Sequence, residues 1–212
     1  MLAITAGLRQ GELLALRWAD VDLDAHSIRV TGSLQNLPGR GLCIVEPKTE
    51  RSRRLVVVGE LAAEALRRHR AAQAEERLSA GPAWEDSGLV FPNGSGKPMN
   101  PSNLLVRSYR KLLGRADLPR LRFHDLRHTA ATLLLGQGVH AKVVSEMLGH
   151  SSITITLDLY SHVTPTMQQQ AADALDALLS APLAVNLAVS EDAEGSQPQV
   201  GPRSSGDRAS VS

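Results

Sequence analysis

Cysteine is the scarcest chemistry in this chain. Cys43 is the only one among 212 residues, which excludes an intrachain disulfide framework and a cysteine-rich zinc site. Set inside the apolar run "GLCIV", it reads as buried filler. No apolar run reaches the length that a membrane-spanning helix needs, so no membrane partner is expected. The opening "MLAITAGLRQGELLAL" has neither the charged lead nor the cleavage site of a secretory leader, and the cytoplasm is the expected compartment. Net charge is nearly absent as well, at +1, although a balanced total can hide a basic face. Internal repeats are lacking. What is there is ordinary for a globular fold: 42% apolar and 21% charged residues, in a length that suits one domain with a substantial core and a tail.

The periodicity predicts mostly helix around one small sheet. Leu8, Leu13, Leu14 and Leu16 form a short helical stripe that ends at the Asp-rich turn "WADVDLDAH". "SIRVTGSL", "LCIVEP" and "RRLVVV" read as three strands of an antiparallel meander, the last two joined as a hairpin with the charged tip "KTERS". A long helix follows from Glu60, rich in Ala, Glu, Leu and Arg. A Gly/Pro-rich connection leads to a helix from Ser102 to about Ala116, capped by Ser102 or Asn103. "HDLRHTAATLLL", "AKVVSEMLGH" and "SITITLDLYSHV" are further helices. "TPTMQQQAADALDALLS" opens on a Thr-Pro signal and carries an apolar stripe through Met167, Ala171, Ala174, Leu175 and Leu178. Past Pro182 the composition turns to Ser, Gly, Gln and Pro, and residues 182–212 are expected to be a disordered tail.

Charge is segregated along the chain. Arg40, Lys48, Arg51, Arg53 and Arg54 crowd one segment, and seven cations lie between Arg107 and Arg127, while the acids gather elsewhere. That is the footprint of a polyanion-binding face, and it is equally what solvated helix faces produce.

"FHDLRHT" poses the sharpest question. His124 and His128 stand four apart with Asp125 between them, which approaches a zinc-protease helix. Yet Arg127 shares a face with His124, and a guanidinium is a poor neighbour for a metal ion. A phosphate suits the pair better, since Arg offers a bidentate fork and His can donate or accept a proton. No metal and no cofactor are therefore expected, and Asp125 is assigned to its own helix terminus or to a neighbouring side chain. Three weaker signals join it: Arg9 and Glu12 three apart on a helix, Lys48 at a hairpin tip, and Tyr160 ten residues after His150. Singly, each has a plain structural reading as ion pair, solvent decoration and half-buried core.

Taken in order, these stretches resemble the tyrosine recombinase (phage integrase) family. The matching text is "AGLRQGELLALRWAD" with Arg9, "EPKTERSRR" with Lys48, "HDLRHTAAT" with His124 and Arg127, "MLGHSS" with His150 and "TLDLYSHV" with Tyr160, across roughly residues 3–165. The resemblance implies that family's catalytic-domain fold over residues 1–181: mainly α, with a three-stranded antiparallel sheet on one edge. It implies strand cleavage and rejoining on double-stranded DNA through a 3′-phosphotyrosyl intermediate, for integration or excision of a mobile element. By the same resemblance Tyr160 is the nucleophile, His124 the base, Lys48 the general acid, and Arg9, Arg127 and His150 the phosphate clamp, with Glu12 behind them. The implied partners are other copies of the chain, as a tetramer on DNA, and accessory DNA-bending proteins. The helix at 165–181 would dock on a neighbouring protomer. His128 is given a structural place, His162 an exposed helix end, and His26, His69 and His140 no role.

Family members also carry an amino-terminal core-binding domain. With Met1 only eight residues before Arg9, that domain and the first catalytic-domain helix are expected to be missing. The rival readings are a truncated, non-catalytic remnant with residual DNA binding and, further off, a type IB topoisomerase.

Overall fold

The computed structural model describes residues 1–46, 53–160 and 164–180. It divides into one unit of residues 1–172 and a second of 173–212.

In the first unit, α1 (Leu2–Thr5) and α2 (Gln10–Ala15) precede a short 3-10 turn at Trp18–Asp20. Among the described residues five strands follow: β1 (Val21–Asp22), β2 (Ser27–Val30), β3 (Ser33–Leu37), β4 (Gly41–Val45) and β5 (Arg54–Val57). The rest is helical: α3 (Glu60–Ala80), α4 (Pro101–Asn103), α5 (Arg110–Arg115), α6 (Asp125–Gly136), α7 (Ala141–Leu148) and α8 (Thr154–Tyr160). A last helix, α9 (Thr164–Ser180), runs into the second unit, where Leu175, Leu178 and Leu179 are exposed.

The fold is mainly α with small antiparallel sheets, but the strands pair differently from the expected meander. β2 lies between β1 and β5 in a three-stranded sheet, with Ile28 opposite Val56. β3 and β4 form a separate two-stranded sheet, Ser33 opposite Val45 and Leu37 opposite Gly41. "SIRVTGSL" is thus two strands, and "LCIVEP" pairs backwards with β3 rather than forwards with β5. Burial explains the choice. Ile28, Val30, Val56 and Val58 all point into one core with Leu8, Leu13 and Leu16, so β2 and β5 must be neighbours. The overlooked turn is "LPGRG", a Pro-Gly signal in which Gly39 and Gly41 both take positive φ. Cys43, on β4, is half-buried rather than core.

Two further expectations shift. Leu8 contributes to the core from the loop between α1 and α2, not from a helix. The helix expected over 102–116 is capped earlier, by the Asn100 side chain accepting from the Ser102 amide, and is interrupted by a π turn at Leu104–Tyr109. Such turns are rare. This one sits where Tyr109 turns inward to meet Phe123 edge-on, ring centroids 5.3 Å apart.

A second core closes the far side, where Ala131 and Leu135 of α6 meet Ala141, Val144 and Leu148 of α7. α1 and α8 pack on α6, and α7 reaches β5. The amino-terminal loop, the sheet and the α7–α8 turn therefore converge.

Candidate active site

Arg9 lies at that convergence. It is not inside a helix, as its spacing from Glu12 suggested, but is the N-cap of α2 in extended conformation. Glu12 reaches back to accept from the Arg9 amide at 2.9 Å and from its Nη1 at 2.8 Å. Arg9 Nη2 donates to the Gly149 carbonyl, also at 2.9 Å, and so ties the start of α2 to the turn that carries His150.

Glu12 is buried and has a second partner, Arg54, which donates to both carboxylate oxygens at 3.0 and 2.9 Å. Burial alone would raise the Glu12 carboxyl. The hydrogen bonds and charge of Arg54, joined by those of Arg9, outweigh it and bring the group down to about 2. Arg54 had counted only as one of several surface cations, yet its side chain is 6% exposed. Alternation along β5 carries the signal: Arg54, Val56 and Val58 share a parity, with Leu55 and Val57 exposed between them.

Arg127, on the first turn of α6, is 3% exposed. Its Nη1 donates to the Gly7 carbonyl at 2.7 Å, while Nη2 is buried with no hydrogen-bond partner among the described residues. Burial, then the neighbouring positive charge of Arg9, push the guanidinium down to about 9, still cationic at neutral pH. Gly7 is needed for this contact: it has φ +59°, and a Cβ there would come within 2.2 Å of Leu148 Cδ2.

His150 follows the left-handed Gly149. Its Nδ1 and Thr156 Oγ1 share a hydrogen bond at 2.8 Å, and Thr156, which the sequence gave no reason to single out, is fully buried. Burial first, then the charges of Arg127 and Arg9, lower His150 to about 4. In the tautomer whose Nδ1 accepts from the Thr156 hydroxyl, Nε2 carries the proton and can donate it. His150, Arg54 and Gly149 line a cleft of about 610 Å³.

His124 is the residue before α6 and opens on a different cleft, beside Arg110, Arg120 and Arg122. Burial and the charges of His128, Arg127 and Arg9 lower its pKa, which favours the neutral imidazole. His128 packs edge-on against it, centroids 4.6 Å apart. Asp125 serves the helix start: its carboxylate accepts from the Arg122 amide at 2.9 Å and from the Arg122 guanidinium. Among the described residues, no group of three or more His, Cys, Asp or Glu is placed to hold a metal ion.

Tyr160 is the last residue of α8, and Lys48 lies outside the described residues, as does His162. Arg9, Glu12, Arg127 and His150 come together, joined by Arg54. The remaining histidines have structural partners: His26 pairs with Glu60, His69 stacks between Trp18 and Phe91, and His140 accepts the Lys142 amide at the start of α7.

The phage integrase family profile matches residues 1–167. The chain belongs to the phage integrase family. It is 40% identical over 189 residues to a tyrosine recombinase XerC-like protein of Caldanaerobacter subterraneus subsp. tengcongensis, covering 84% of this chain and 48% of that one. To the ICEBs1 integrase of Bacillus subtilis it is 34% identical over 180 residues, with the same two coverages of 84% and 48%. Among solved structures it is similar to the Tn1549 transposon integrase in complex with circular intermediate DNA, with a TM-score of 0.66 and 26% identity over 82% of this chain and 57% of that one. The XerA recombinase aligns with a TM-score of 0.58 and 26% identity over 82% of this chain and 55% of its own. The chain spans about half the length of the curated relatives it matches. Among the described residues, no helix is long and apolar enough to cross a membrane.

Proposed function

We propose that this chain is the catalytic part of a site-specific DNA recombinase that cuts and rejoins strands through Tyr160. The observation that carries the reading is Nη2 of Arg127, a buried cationic donor beside Arg9 that has no partner among the described residues and that a phosphate oxygen would satisfy. Tyr160 Oη attacks the scissile phosphorus, a 3′-phosphotyrosyl bond forms, and the 5′-oxygen leaves with a proton. A 5′-hydroxyl of another strand then attacks the phosphotyrosine and releases the tyrosine, so the number of phosphodiester bonds is conserved.

Each role follows from the chemistry. A phenol with a pKa of about 10 needs a base, and His124, whose neutral form is favoured, is assigned to it. Charge building on the non-bridging oxygens falls to Arg9 and Arg127, with His150 donating from Nε2. Lys48 is assigned the proton for the leaving 5′-oxygen, and Glu12 the orientation of Arg9. The choice of tyrosine has independent support. The chain has only two, and Tyr109 is buried with its hydroxyl directed at the Arg122 carbonyl and its pKa raised by burial. The partners proposed are duplex DNA, other copies of the chain assembled as a tetramer on it, and accessory DNA-bending proteins. Residues 1–181 are assigned to the catalytic unit. The DNA in the Tn1549 integrase complex supports the first of these partners.

The test is covalent trapping on nicked duplexes drawn from the DNA flanking its own gene. A denaturation-resistant protein–DNA adduct is expected in the wild type and none in Tyr160→Phe. An adduct that survives Tyr160→Phe, or DNA binding with no adduct in either protein, would contradict the reading.

A further inference from the structure

Arg54 has a part that the proposed reaction does not yet use. Each of its three guanidinium nitrogens donates inside the protein: Nη1 and Nη2 to Glu12, and Nε to the Met147 carbonyl at 2.8 Å. Glu12 spends its other contacts on Arg9. Arg9 in turn holds the carbonyl of Gly149, two residues beyond Met147. The contacts therefore close a ring that runs from Arg54 through Glu12, Arg9 and Gly149 to Met147 and back. It joins the starts of α2 and β5 to the end of α7, and His150 leaves it directly.

The ring is tight. Gly149 has φ +65°, and a Cβ there would lie 2.9 Å from Arg54 Nη1 and 3.0 Å from Arg54 Cδ. The turn is pressed against the guanidinium, so its place depends on Arg54. A lysine could keep the charge of Arg54 but not its planar fork, and could not hold two carboxylate oxygens and a carbonyl from one position.

We propose that Arg54 is a positioning residue for the phosphate site: by gripping Glu12 on one side and the Met147–Gly149 turn on the other, it fixes Arg9 and His150 relative to each other. The role rests on the reaction proposed above. It differs from plain structural support because its loss should displace two phosphate ligands while the rest of the fold persists.

Arg54→Lys tests this, with Arg67→Lys, a swap in the surface pair with Glu60, as control. Amide exchange at residues 9–12 and 147–150 is expected to rise more than about tenfold in Arg54→Lys while α3 is unchanged. Adduct formation at saturating DNA is expected to slow on the order of a hundredfold, as a small misplacement of reacting groups does. DNA affinity should stay within about threefold, and Arg9→Lys combined with Arg54→Lys should cost clearly less than the sum of the two single changes. Unchanged exchange at those two segments, an adduct rate within about threefold of wild type, or full additivity would overturn the proposal. Should Arg54→Lys not fold, Glu12→Gln carries the same expectations, and wild-type adduct rates in it would also overturn them. A wild-type chain that forms no adduct removes the reaction but not this test, because the exchange result then decides the positioning role by itself.

Discussion

Arg54 and Arg127 both carry a buried guanidinium, the Arg54 side chain 6% exposed and Arg127 as a whole residue 3%, and they are satisfied in opposite ways. Arg54 meets a carboxylate with its fork and a carbonyl with Nε. Arg127 has one carbonyl and an unpartnered Nη2, and among the described residues no carboxylate pairs with it. Burying a charge without a partner is costly, so a fold that keeps Arg127 in this state holds it for something else. The difference separates a cation that builds the site from one that is left open to an anion. Depressed pKa values mark the same boundary, since burial first, and then the positive charges of Arg127 and Arg9, drive His150 down to about 4.

Substitution should break the two apart. Arg127→Met is expected to slow adduct formation by about 10²–10³, the usual cost of one lost transition-state donor. It should cost about 1–3 kcal/mol of folding stability, the Gly7 carbonyl losing its donor while no paired carboxylate is left behind among the described residues. Arg54→Met, by contrast, leaves buried Glu12 with Arg9 alone and the Met147 carbonyl without its donor, and should destabilise by about 3–5 kcal/mol in urea titrations. Equal stability losses in the two variants would erase the distinction. Gly149→Ala, which places a methyl group against Arg54 in a left-handed conformation, should cost about 1–2 kcal/mol or more.

An added anion sharpens the contrast. Inorganic phosphate should raise the Tm of the wild type by mass action and leave that of Arg127→Met unmoved. An identical rise in both would place the anion elsewhere.

The smallest effect is on pH dependence. His150 stands at about 4 in the folded chain against 6.5 as the ordinary value, so the unfolded chain takes up its proton first. The stability this group confers is complete above pH 6.5, is lost as pH falls toward 4, and changes no further below that. His124 acts in the same direction. Glu12, at about 2 against 4.5, adds its own loss only below pH 4.5. Thermal melts across pH 4 to 6.5 should therefore be shallower in His150→Gln than in the wild type, and matching slopes would remove His150 from the account.

The site was more legible in the sequence than the sheet was. His124 and Arg127 stand out in the sequence because a phosphate asks for a cation and an imidazole on one helix face, whereas Arg9 and His150 are singled out through the resemblance to the tyrosine recombinase family. Strand pairing follows instead from which side chains share a core. That is why β3 and β4 went unread as a hairpin although "LPGRG" announces the turn. Arg54 was missed for a related reason. A basic run reads as surface until its alternation with Val56 and Val58 is weighed. Thr156 is harder still, because nothing distinguishes a buried threonine that orients an imidazole from any other in "SITITL" until the helix is folded.

The most direct measurement is the structure of Tyr160→Phe bound to duplex DNA that carries its cleavage site. The account predicts Arg127 Nη2 about 3 Å from a non-bridging oxygen of the scissile phosphate, with Arg54 still locked on Glu12. A phosphate seated elsewhere, with Nη2 still unpartnered, would contradict it.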